Sequence, residues 1–92
     1  MSNPAIQIEV FRDFAKSELK NHKCELETRS QNRELASDDL MQEAYSEHRQ
    51  IFGKELTEKM EELITEDNRF LRPSLEEIKE KYVDKLKPSL VL

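Results

Sequence analysis

The sequence predicts an all-α protein, a three-helix antiparallel bundle with a long central helix and a shorter C-terminal helix, and three observations predict it. Apolar residues recur at steps of three and four along most of the chain, the repeat of one helix face. Only one glycine and three prolines interrupt 92 residues. Glu, Lys, Leu, Arg and Gln are abundant and keep their rotamer freedom in a helix, whereas strand-favouring β-branched residues are sparse. A chain this short makes one domain, 1–92, with little surface to bury. At 36% hydrophobic and 38% charged, it suits an elongated shape with self-association supplying further burial.

Helix 1 is expected over about 4–29. Asn3 offers its side-chain oxygen to free N–H groups, and Pro4 gives up a donor that has no partner in the first turn. Ile8, Phe11, Ala15, Leu19, His22 and Leu26 then draw one stripe, widened near its start by Ile6, Val10 and Phe14. The run Glu27 to Glu34 has no apolar residue, which places a break between Ser30 and Ala36.

Helix 2 is expected over about 38–65. Ser37 provides the hydroxyl cap, and Asp38 and Asp39 sit where the helix dipole is positive. Met41, Ala44, Tyr45, His48, Phe52, Leu56, Met60 and Leu63 keep the helical step, with acids on the opposite side. Gly53 in mid-helix reads as a bend, a close crossing or a tolerated cost of about 1 kcal/mol.

Helix 3 is expected over about 75–87. Glu66-Asp67-Asn68 reads as a turn, and Arg69 to Pro73 as an irregular link whose Phe70 and Leu71 fold back onto the helices. Ser74 and Glu77 have capping-box spacing. Leu75, Ile78, Tyr82, Val83 and Leu86 form the apolar face, Lys85 and Lys87 suit the negative end, and Pro88 closes the helix. The apolar tail Leu90-Val91-Leu92 is expected to pack on the body, the other reading being a strand added to a partner's sheet edge.

Charge bears on partners. The net charge is −5, yet residues 37–68 alone carry −7. Phosphate backbones are bound by Lys and Arg that displace counterions, so direct nucleic-acid binding is not expected. No apolar run reaches the ~20 residues of a membrane span, and the first residues lack the layout of a secretion signal. A single cysteine, Cys24, makes no internal disulfide, so the cytoplasm is the expected compartment.

Neither catalysis nor a cofactor is expected. His22 and Cys24, two apart, diverge by about 200° on a helix, and only His48 could add a nitrogen, so no metal site is read. Di-metal bundles use Glu-x-x-His, and no Glu stands three residues before either histidine. The histidines read as packed at the margins of the apolar stripes with one edge wet. Cys24 with a histidine base would need a third group and a pocket. The pairs Glu43/Glu47 and Glu58/Glu62 read as a solvated face rather than an acid and base.

The expected function is non-enzymatic: an adaptor, inhibitor or assembly factor that binds another protein through helical surfaces. Met41, Tyr45, His48 and Phe52 form a candidate apolar contact surface. Asp39, Glu43, Glu47, Glu58, Glu61 and Glu62 form a candidate acidic one, suited to a basic partner. The competing reading of those acids is that they keep a long helix soluble, neutralised by Lys79, Lys81, Lys85 and Lys87 of helix 3. Alternatives are a phosphate-mimicking inhibitor or immunity-type protein that blocks a basic nucleic-acid-binding partner, and a structural subunit of a larger assembly. A homodimer is the expected oligomer, twofold pairing being the commonest assembly.

Overall fold

The computed structural model describes residues 3–88. Helix α1 runs Pro4–Gln31, α2 Asp38–Leu63 and α3 Arg72–Asp84, with a 3-10 turn Glu66–Leu71 joining the last two. They form the all-α three-helix bundle read from the sequence. None of the helices is long and apolar enough to cross a membrane. The tail Leu90–Leu92, on which the sequence placed a packing segment, lies outside the described residues.

The body measures 50 × 23 × 17 Å, with a radius of gyration of 15.4 Å. A compact domain of this length would have about 12 Å. Elongation follows from two helices of 28 and 26 residues lying side by side, each about 40 Å long at 1.5 Å per residue.

Local signals start the first two helices where expected. The Asn3 side chain accepts from the Ala5 N–H at 3.0 Å, and the Ser37 hydroxyl accepts from the Leu40 N–H at 3.2 Å. Helix α1 continues two residues beyond the expected end. It then closes by a double bond pattern, Arg33 N–H to the Ser30 carbonyl and Glu34 N–H to the Arg29 carbonyl. This Schellman closure requires a left-handed residue, here Arg33 at φ 63°.

The α2–α3 connection corrects the expected boundaries. Helix α2 stops at Leu63, and Thr65 begins the 3-10 turn, its N–H donating to Asn68 Oδ1 while Asn68 Nδ2 donates to the Leu63 carbonyl at 3.0 Å. Residues three apart eclipse in a 3-10 helix, so Asn68 and Leu71 turn inward together, 6% and 4% exposed. Phe70, expected to fold back, points outward at 65% exposure. Helix α3 starts at Arg72, before the expected 75, with Pro73 in its first turn, so Ser74 lies inside the helix and caps nothing. It ends at Asp84, short of the expected 87 and well before Pro88. Leu86 is fully buried beyond it, and its carbonyl accepts from Arg49 Nη1 of α2 at 2.9 Å.

The core gathers the expected stripes: Phe11, Ala15, Leu19 and Leu26 of α1, Ala44, Phe52, Leu56 and Met60 of α2, and Leu75 and Tyr82 of α3. Burying a large apolar side chain of this kind stabilises the fold by about 1.5–3 kcal/mol. Helix α3 runs antiparallel to α2, as Lys79 on Thr57 and Arg72 on Glu61 require. At Gly53 a Cβ would lie 4.0 Å from Val83, so the glycine faces α3 at ordinary contact distance. Of the apolar widening of α1, Phe14 is half-buried against this core, whereas Ile6 is 54% and Val10 39% exposed.

Candidate functional site

Two residues of the apolar stripes are polar, and they meet. The antiparallel α1–α2 register sets His22 opposite His48, with their Nδ1 atoms 2.9 Å apart and their rings edge-to-face at 87°. Both are buried, at 6% and 8% exposure, more deeply than packing with one edge wet would leave them, although the carboxylates beside them reach solvent. Phe52 covers the pair, its ring centroid 5.4 Å from that of His22.

Carboxylates surround the histidines. His22 Nε2 lies 2.6 Å from Glu55 Oε1. A carboxylate only accepts, so that nitrogen carries its proton, and the other ring nitrogen is left to face His48. One shared proton then serves the two Nδ1 atoms. Glu25, one helical turn after His22, reaches within 3.9 Å of His48 Nδ1. Glu18, one turn before His22, approaches Glu55. Burial first, then hydrogen bonding to Glu55 and the charge on that neighbour, raises the Glu18 carboxyl above its ordinary value, with His22 pulling the other way. Burial and then the proximity of His22 hold His48 below the ordinary histidine value, and Arg29 adds to this against Glu25 and Glu47. Among the described residues no buried side-chain N or O lacks a partner.

Two sets of potential ligand atoms lie within 4.8 Å of one another, His22 with Glu25 and His48, and Glu18 with His22 and Glu55. Sequence reasoning missed them because it looked for Glu-x-x-His. The chain instead carries His22-x-x-Glu25 on α1, with Glu18 four residues before, and His48 and Glu55 seven apart on α2. Each group is a polar replacement along one helical face.

The two candidate contact surfaces have different fates. Of the apolar set, Phe52 is 0% and His48 8% exposed, while Met41 and Tyr45 are half-buried against the core. These side chains are occupied within the chain itself and leave no contact surface of the expected composition. All six acidic candidates are exposed. Glu61 accepts two bonds from Arg72, and Glu62 lies 3.5 Å from Lys59. Among the described residues Asp39, Glu43, Glu47 and Glu58 have no cation within ion-pair distance. Of the four lysines expected to neutralise this face, Lys79 engages Glu76 and Thr57, Lys87 pairs with Asp84 and Lys85 lies over the Tyr82 ring, while Lys81 makes no ion pair among the described residues.

Comparison with known proteins finds no family model, no curated relative and no solved structure that matches this chain.

Proposed function

We propose that this chain is a non-enzymatic protein-binding module that docks a basic protein surface on the outer face of α2. The observation that carries the reading is the set of four exposed carboxylates, Asp39, Glu43, Glu47 and Glu58, none of which has a cation within ion-pair distance among the described residues. Like charges along one helix keep an isolated bundle soluble but repel one another, whereas a basic partner relieves that repulsion and gains on-rate and specificity from them.

The face also holds apolar anchors. Leu40 and Ile51 are 48% and 51% exposed. Eleven residues apart, they differ by about 20° around the helix and bracket Glu47. Leu40, Glu43 and Glu47 border a shallow concavity of about 190 Å³ together with Leu35 and the Arg29–Glu34 ion pair. Apolar residues within a charged rim fit a protein surface better than a groove shaped only for phosphate. This favours the protein-docking reading over the phosphate mimic.

Capture from native extract tests it. Wild-type protein is expected to retain a basic partner at low salt, and the Glu43→Lys/Glu47→Lys/Glu58→Lys variant to lose it. Leu40→Ala with Ile51→Ala, which removes the apolar contacts and adds no charge, is expected to weaken capture while leaving its salt dependence unchanged. Full retention of the same partner by the triple variant would reject the proposal.

A further inference from the structure

We propose that His22 Nδ1, His48 Nδ1 and the Glu25 carboxylate form a binding site for a divalent transition-metal cation of the zinc class, bridging α1 and α2. The site goes beyond the docking surface and does not depend on it.

The donor set comes first. Two imidazole nitrogens and one carboxylate oxygen, all within 4.8 Å of one another, match the three protein ligands of zinc sites that keep a fourth position open. Two nitrogens exclude hard cations such as Mg²⁺ and Ca²⁺, which take oxygen ligands. In a tetrahedral site with metal–nitrogen bonds of about 2.0–2.1 Å, the two nitrogens stand roughly 3.3 Å apart. The observed 2.9 Å needs an opening of a few tenths of an ångström by side-chain rotation. Glu25, its side chain 69% exposed, is free to close its 3.9 Å gap to His48.

Orientation is the second argument. A metal-bound histidine commonly donates its other N–H to a carboxylate, which fixes the tautomer and makes the ligating nitrogen more basic. His22 does this already, through Nε2 to Glu55 at 2.6 Å. Its Nδ1 lone pair is thereby directed at the gap shared with His48. The alternative set, Glu18 with His22 and Glu55, offers one nitrogen that Glu55 already holds, and so supplies the orienting contact instead of the site. A bound cation would take the place of the proton between the two Nδ1 atoms, that proton passing to His48 Nε2 so that both rings ligate as neutral imidazoles, and would tie α1 to α2. Its fourth position would open toward Glu25 and solvent and take a water.

The test uses the full chain stripped with a chelator and titrated with Zn²⁺ by calorimetry and with Co²⁺ by visible absorption. One cation per chain is expected, with a tetrahedral Co²⁺ spectrum and a rise in thermal midpoint. Glu25→Ala, at an exposed position that leaves the core intact, is expected to weaken binding at least tenfold, and Glu55→Gln 10- to 100-fold. His48→Leu is expected to abolish it, while Cys24→Ser, at an exposed thiol outside the set, leaves it unchanged. No binding at micromolar Zn²⁺, binding unaffected by Glu25→Ala and Glu55→Gln, or binding lost in Cys24→Ser would each overturn the proposal.

Discussion

His22 of α1 and His48 of α2, 26 residues apart in sequence, face each other through their Nδ1 atoms at 2.9 Å and are buried between the two helices. The contact satisfies both rings, and that makes each dependent on the other. Replacing His48 alone with Leu leaves a buried nitrogen of His22 without its partner and is expected to destabilise the fold by about 1–3 kcal/mol. Replacing both with Leu restores an apolar match and is expected to cost less than the sum of the single changes. Urea unfolding of the two single variants and the double variant in chelator measures the coupling, and strict additivity would contradict the contact.

The Arg72–Glu61 fork predicts a distinct acid titration. Glu61 accepts from both terminal nitrogens of Arg72, at 2.7 and 3.2 Å, and these bonds hold its carboxyl below the ordinary value. A carboxylate depressed in the folded state contributes stability that is present above its unfolded pKa and lost as pH falls through the folded one. NMR titration should show Glu61 protonating below the ordinary carboxylate value, and Arg72→Ala should return it toward that value.

Two backbone positions carry residues that their geometry does not favour. Gly53 is helical, and an added methyl would meet only Val83 at 4.0 Å, so Gly53→Ala is expected to stabilise by about 0.5–1 kcal/mol. Arg33 occupies the left-handed position of the α1 closure at φ 63°, where glycine carries no Cβ penalty. Arg33→Gly is expected to stabilise by roughly 1 kcal/mol. Thermal or urea unfolding checks both, and a loss of stability in either would contradict the local geometry.

Asn68 joins α2 to the 3-10 turn through both ends of its amide. Asn68→Ala is expected to destabilise by about 1–2 kcal/mol, in the range of a lost helix cap. Asn68→Asp keeps the acceptor for Thr65 but loses the donor to Leu63, and should fall between wild type and Ala by urea midpoint.

Helix faces were legible in the sequence because they depend on spacing alone. Phe11, Ala15, Leu19 and Leu26 repeat at three and four and are buried as that repeat requires. Asn3 and Ser37 cap as expected because a cap is a local contract between a side chain and the next turn. Ser74 fails for a non-local reason. Burial of Leu71 and Asn68 winds the chain into a 3-10 turn that enters α3 at Arg72, leaving no free helix end at Ser74. Phe70 turns outward by the same three-residue repeat.

The candidate site was hidden for a related reason. Periodicity places His22 and His48 on apolar faces but does not give the register between helices, and only register decides that they touch. The same limit separates the two contact surfaces. That Phe52 and His48 are consumed by the core, and that Lys79 and Lys87 pair with Glu76 and Asp84, depends on how three faces share one interior.

The proposal of an acidic docking face on α2 is tested most directly by footprinting its carboxylates with carbodiimide labelling, free and in complex with the captured partner. The account predicts that Glu43, Glu47 and Glu58 lose reactivity in the complex while Glu9 and Asp13 of α1 keep theirs. Undiminished labelling of the α2 carboxylates, with protection appearing on α1 or α3 instead, would contradict it.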